Sequence, residues 1–117
     1  MQYKMAASKE TENKIAQLQM LEQNIQNFIL QKQTFQSQLM EVDNALEELE
    51  KSNGQTYKIV GGIMVASNKE ELKSGLKNKK EVLDLRIQTI EKQENQLKDK
   101  ASKMQSEVLS QLNVEGK

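Results

Sequence analysis

The sequence has 117 residues, of which 36% are hydrophobic and 3% aromatic, too few for a conventional compact core. Its 17 basic and 17 acidic residues balance, and no excess of Lys and Arg predicts a nucleic-acid partner. Histidine and cysteine are both absent, which removes disulfides, imidazole and thiolate catalysis and nearly all zinc sites. No apolar run approaches the length of a membrane span and the first residues do not resemble a secretory signal, so we expect no membrane partner.

A heptad pattern from about residue 12 to residue 51 predicts a long first helix. Apolar residues recur there at alternating spacings of three and four, as in a coiled-coil stripe, and the chain contains no Pro to interrupt it. Before it, residues 1 to about 11 are expected to form a frayed end or a loose helix start. The predicted stripe, with one charged member, is Leu18, Leu21, Ile25, Phe28, Lys32, Phe35, Leu39, Val42, Leu46 and Leu49.

A polar segment around Gly54 is predicted to end this helix, and a β-hairpin is predicted over residues 57–66. Gly61 and Gly62 separate two short β-forming runs, and glycine tolerates the positive φ values that a two-residue hairpin turn requires. The predicted pairs are Val60 with Ile63, Ile59 with Met64, Lys58 with Val65 and Tyr57 with Ala66.

Both faces of this hairpin are mostly apolar, although a hairpin exposed on one side normally carries polar residues there. Two strands alone are marginally stable in water. If the helices use their apolar stripes on each other, the hairpin has to pair with hairpins of other chains, which predicts an oligomer with a β core. The predicted oligomerisation residues are Tyr57, Ile59, Val60, Ile63, Met64 and Val65.

A second helix is predicted over residues 69–112. Either Ser67 with Glu70 or Asn68 with Glu71 could form a capping box at its start. Its predicted stripe contains two charged members and consists of Leu76, Lys80, Leu83, Ile87, Ile90, Glu94, Leu97, Ala101, Met104 and Val108. The expected fold is therefore mostly α: one domain over residues 1–117, with a long antiparallel two-helix coiled coil and one β-hairpin at the bend.

No combination of side chains predicts catalysis, a cofactor or a metal. The carboxylates of Glu47, Glu48 and Glu50 could be read as a metal or acid–base site, but they lie on a helix of alternating charge, which favours a solvated face. The pair Gly61–Gly62 lacks the Lys-Ser or Lys-Thr that follows a phosphate-binding loop, so the turn is the better interpretation.

Apolar residues near the two helix ends, which an antiparallel arrangement brings together, allow two interpretations. They are either scattered surface residues, as on any protein, or an adaptable apolar patch that binds other proteins. This group comprises Tyr3, Met5, Ile15, Leu18, Met20, Met104, Val108, Leu109, Leu112 and Val114.

The order helix, hairpin, helix, with the hairpin segment Tyr57–Val65 as its most specific part, resembles the β-class prefoldin subunit of archaeal type. The likeness includes Gln31-Lys32-Gln33, Ala45–Leu49 and the stretch from Leu83 to Gln93, and it covers about residues 18 to 112. The resemblance implies a cytoplasmic hexamer of two α-class and four β-class subunits, whose hairpins assemble into a double β-barrel. Six coiled coils project from that platform, and their tips hold unfolded polypeptides and pass them to a group II chaperonin without nucleotide.

By position, the resemblance makes residues 57–66 the assembly segment and the apolar residues near both termini the client-binding ones. The sequence interpretation is thus an ATP-independent holdase chaperone subunit, not an enzyme, with no cofactor. The rival hypothesis is a structural or tethering coiled coil that binds one specific partner. The client-binding residues are predicted to be Tyr3, Met5, Ile15, Met20, Met104, Val108, Leu109 and Leu112.

Overall fold

Two long helices and the hairpin between them make up the part of the chain that the computed structural model describes, residues 8–115. The elements in chain order are α1 (Lys9–Lys51), β1 (Thr56–Val60), β2 (Ile63–Ser67) and α2 (Lys69–Glu115). The helices contain 43 and 47 residues, so the predicted mostly-α fold with one hairpin is confirmed. That residues 1–117 form a single domain stays a prediction.

Helix α1 begins earlier than the predicted start near residue 12 because Ser8 caps it. The Ser8 Oγ accepts a hydrogen bond of 3.1 Å from the backbone N–H of Thr11, which satisfies one of the amides that lack an intrahelical partner. Glu10 and Glu12 lie in the first turn, where a carboxylate interacts favourably with the positive end of the helix dipole.

The end of α1 does not use the glycine that was predicted to stop it. The helix ends at Lys51, and the Ser52 N–H donates to the Leu49 carbonyl over 3.2 Å, which closes the last turn. Among residues 8–115, only Gly61 and Gly62 have positive φ, so Gly54 does not adopt the left-handed conformation of a helix-terminating glycine.

Of the two possible caps for α2, the structure uses Asn68. Its Oδ1 accepts a hydrogen bond of 2.7 Å from the Glu70 N–H, and its carbonyl accepts one of 3.0 Å from the Leu72 N–H. Lys69, the first residue of α2, contacts the segment that precedes the hairpin: its Nζ donates to the Ser52 carbonyl over 3.1 Å.

The hairpin has the predicted register. Val60 pairs with Ile63 beside the turn, and the ladder extends to Thr56 opposite Ser67. Gly61 and Gly62 have φ values of 57° and 84°, which places both in the left-handed region that a type I′ turn requires.

The apolar stripes of both helices form the core, and every predicted stripe residue is buried or half-buried. The charged members of the stripes have partners: Lys80 pairs with Asp43 over 2.8 Å, and the buried Glu94 pairs with Lys98 over 2.6 Å. The buried apolar residues are Leu21, Ile25, Val42, Leu83, Ile87, Ile90 and Val108.

The described chain forms two compact units, and within each of them the helices run antiparallel. In the unit that contains Lys32–Thr89, the guanidinium carbon of Arg86 lies 5.6 Å from the Phe35 ring centre, Asp43 pairs with Lys80, and Glu50 pairs with Lys73. Residue numbers on α2 therefore fall as those on α1 rise.

In the other unit, which contains the described residues up to Gln31 and from Ile90, the same direction holds. The Thr11 Oγ1 lies 2.9 Å from the Gln111 Oε1, and the Lys14 Nζ lies 3.5 Å from a Glu107 carboxylate oxygen.

The first prediction concerns the seam. Leu83 is only 2% exposed, so Leu83→Ala should lower the free energy of unfolding by about 2–5 kcal/mol through lost burial and a residual cavity. Leu85 is 62% exposed, and Leu85→Ala should change it by less than about 0.5 kcal/mol. Urea unfolding followed by circular dichroism, at one protein concentration, measures both; equal losses would contradict the assigned seam.

The second prediction concerns pH. A hydrogen bond from Lys73, together with its charge, lowers the pKa of Glu50 below the ordinary carboxyl value. The stabilisation by this pair is therefore present at neutral pH and is lost as pH falls through the folded-state pKa. Glu50→Gln should slightly lower the thermal midpoint at pH 7, and the difference from the wild type should vanish in acid. The control is Glu41→Gln, at an exposed position of the same helix. A difference in thermal midpoint between Glu50→Gln and the wild type that persists at pH 2.5 would contradict the assigned ion pair.

Candidate functional site

The first candidate site is the apolar surface of the hairpin, formed by Tyr57, Ile59, Val60, Ile63, Met64 and Val65 and called the hairpin surface below. All six side chains are exposed in the single chain, and Ile59 is 74% exposed. Because side chains alternate along a strand, these residues lie on both faces of the two-stranded sheet. The hairpin therefore presents exposed apolar area on two sides at once.

A groove adjoins the hairpin surface at the base of the hairpin. It has a volume of about 440 Å³, and its apolar walls include Leu49 from α1 and Leu72 and Leu76 from α2. Tyr57 belongs both to this groove and to the hairpin surface, so the two form one continuous apolar area.

The second candidate site consists of the predicted client-binding residues near the helix ends. Met20, Leu109 and Leu112 are exposed, whereas Ile15 and Met104 are half-buried. Val108 is only 6% exposed, because it occupies a seam position and packs between the helices. Tyr3 and Met5 lie outside the described residues. Val114, which extends the group at the end of α2, is exposed as well.

A polar network at these helix ends was not predicted. Thr11 is fully buried; its Oγ1 donates to the Gln111 Oε1 over 2.9 Å and lies 2.9 Å from the Ser8 Oγ. The stripe spacing, continued beyond Leu18 and Val108, leads to Thr11 and Gln111, so the pattern contained this signal. The bond fixes which residues of the two helices lie opposite each other next to the exposed apolar side chains.

The carboxylates near the end of α1 take part in ion pairs. Glu47 pairs with Lys51 over 3.5 Å, and Glu50 pairs with Lys73. Within residues 8–115, no three acidic side chains come together in a way that could hold a metal ion. No helix in this part of the chain is apolar enough over a bilayer length to cross a membrane.

This geometry defines a class of protein: two long helices whose stripes face each other, joined by a hairpin with two uncovered apolar faces. The family model described as prefoldin subunit matches residues 12–113. The chain belongs to the prefoldin subunit family.

Its relatives place it with the archaeal β class, which confirms the resemblance predicted from the sequence. The prefoldin subunit beta of Archaeoglobus fulgidus is 37% identical over 101 residues, which span 85% of this chain and 87% of the relative. That of Methanococcoides burtonii is 33% identical over 92% of this chain and 93% of its own length. The crystal structure of the prefoldin beta subunit from Thermococcus strain KS-1 superposes with a TM-score of 0.87 at 30% identity, covering 93% of this chain and 97% of that chain.

Proposed function

We propose that this chain is a subunit of an ATP-independent holdase chaperone, which captures unfolded polypeptides and delivers them to a group II chaperonin in the cytoplasm. The observation that carries the proposal is the exposure of the apolar hairpin surface, whose side chains are 44% to 74% exposed, in a chain of the prefoldin family. A single hairpin of this kind is marginally stable in water, so its composition makes sense only when other chains cover it.

Assembly follows from the hairpin. Strands β1 and β2 each have one unpaired edge, and an exposed edge flanked by apolar faces is a template for strand addition from a neighbouring chain. Hairpins from four such chains and two α-class subunits would close into a double barrel that removes the edges and buries both faces. The groove at Leu49 and Leu72 extends the apolar area available to a neighbour.

Client capture is proposed for the exposed apolar residues near the helix ends. Met20 offers a flexible, polarizable side chain, and Leu109 and Leu112 add apolar area on the other helix. Each contact is weak, but several chains fixed on one platform bind one client together, which gives avidity without high affinity at any point. Weak single contacts also allow release to a downstream chaperonin without nucleotide hydrolysis.

The assembly prediction uses four substitutions in the hairpin, Ile59, Val60, Ile63 and Val65 to Ser. The variant should lose assembly with its α-class partner and keep most of its helical content, because the helices stabilise each other through their own stripes. Sedimentation measures the mass and circular dichroism the helicity. The matched control replaces four exposed apolar helix residues by Ser: Leu30, Met40, Val82 and Leu85.

The control variant should assemble like the wild type. An intact hexamer in the hairpin variant would refute the assignment of the hairpin as the platform. Failure of both variants to assemble would mean that general surface apolarity, rather than the hairpin, drives association.

The client prediction replaces Met20, Leu109 and Leu112 by Gln, a good helix former that removes apolar area and leaves the seam intact. The assembled variant should require about tenfold more protein than the wild type to suppress aggregation. Each substitution weakens one apolar contact, and binding of one client by several chains multiplies these losses of affinity. Light scattering of a denatured model protein diluted into buffer measures this. The control replaces Leu30, Met40 and Leu85 by Gln.

Equal suppression by both variants and the wild type would remove the helix ends from client binding. If the assembled wild type itself suppresses no aggregation, the chaperone proposal fails, and a coiled coil that tethers one dedicated partner becomes the better account.

A further inference from the structure

One flank of the α1 stripe carries no charge near the client-binding end. Its positions follow each other at spacings of four and three, and in a chain with 29% charged residues all of them are neutral. All of them are exposed. These positions are Asn13, Gln17, Met20, Asn24, Asn27 and Gln31.

The same flank forms a groove with α2, within the unit that contains both segments. One part of this groove has a volume of about 440 Å³ and is lined by Asn27, Phe28 and Gln31 of α1 and by Gln93, Gln96 and Leu97 of α2. The adjoining stretch of about 270 Å³ is lined by Gln17, Met20, Leu21, Lys100 and Met104, and Asn24 belongs to both. We call the two stretches together the amide groove.

The carboxamides of the amide groove are available for a ligand. Within the described part of the chain, the side-chain amides of six groove residues make no hydrogen bond with another protein group: Gln17, Asn24, Asn27, Gln31, Gln93 and Gln96. Each offers an N–H donor and a carbonyl acceptor, the same pair that a peptide unit carries. Between the two walls, the half-buried rings and chains of Phe28, Leu97 and Met104 supply an apolar floor.

We propose that the amide groove binds one extended segment of unfolded polypeptide through its main chain, an inference that rests on the proposed chaperone function. From Gln17 to Gln31 the helix rises about 21 Å, which equals the length of about six residues of extended chain. Peptide groups of the segment pair with the carboxamides on both walls, and every second side chain points to the apolar floor.

Main-chain recognition selects for the unfolded state without selecting a sequence. In a folded protein nearly all main-chain donors and acceptors are already paired, whereas an unfolded segment has them free. The α1 wall of the groove is uncharged, and Lys100 on the α2 side is the one charged residue among those that line it, so the groove discriminates less between acidic and basic clients than a charged helix surface would. The groove thereby adds hydrogen bonds to the apolar contacts of Met20, Leu109 and Leu112.

The test compares substitutions that remove hydrogen bonding and raise apolarity at the same time. The groove variant replaces Gln31, Gln93 and Gln96 by Met, which is similar in length and forms helices well. The matched control makes the same change at three exposed glutamines outside the groove, Gln19, Gln26 and Gln105.

Each variant is assembled with its α-class partner, and circular dichroism checks its helicity. The probe is a fluorescent, unstructured peptide with alternating Leu and Ser, followed by anisotropy. The groove variant should bind it about tenfold more weakly than the wild type, from the loss of up to three hydrogen bonds, and the control within about twofold. The same peptide with alternate main-chain nitrogens methylated should bind the wild type weakly and show no further loss with the groove variant.

Equal or tighter binding by the groove variant would overturn the inference, because apolar burial alone would then account for capture; the proposed function would stand if that assembly still suppressed aggregation. A changed sedimentation mass of the groove variant would also overturn it, since the groove would then be a contact with a second copy of the chain. A wild-type assembly that neither binds the peptide nor suppresses aggregation would overturn the proposed function and this inference together.

Discussion

The mutual burial of two apolar stripes is the interaction on which the rest of this structure depends. With so few aromatic residues and no Pro, the chain can form long helices but no conventional core, so each helix serves as the other's apolar surface. The stripes are narrow, and stripe residues such as Leu83 and Ile87 are buried between the two helices. Apolar side chains that are buried between the helices are not available to cover the hairpin.

The exposed hairpin is thus a consequence of the helix pairing. Its turn is fixed locally by two glycines with positive φ, but the apolar side chains on its faces stay largely exposed within the chain. A hairpin that gains its stability only from neighbours couples folding of that segment to assembly, so its apparent stability depends on protein concentration. The long helices have no such requirement, because each buries its stripe against the other within the same chain.

Structural features that local sequence pattern determines were predicted from the sequence. Features that depend on how the two helices align were missed. Stripe spacing identified the seam positions from Leu18 to Leu49 and from Leu76 to Val108, and Gly61–Gly62 fixed the hairpin register, because both signals are short-range. The Thr11–Gln111 bond needs residues from opposite ends of the chain to meet, which spacing alone does not specify. For the same reason Val108 was assigned both to the stripe and to the client-binding group, and only the structure shows it buried.

The polar residues of the helices therefore divide into two kinds. Those that face the seam, such as Thr11 and Glu94, are buried and paired. Thr11 donates to Gln111 of the other helix and so restricts how the helices align, whereas Glu94 pairs with Lys98 of its own helix. Those on the neutral flank, such as Asn27 and Gln31, have no protein partner in the described chain and leave their donors and acceptors to solvent or ligand. Under the proposed function, a surface that binds many unrelated clients gains little from charge, which would favour some sequences and reject others. Amides beside a narrow apolar floor match the one chemistry that all unfolded chains share, the peptide group.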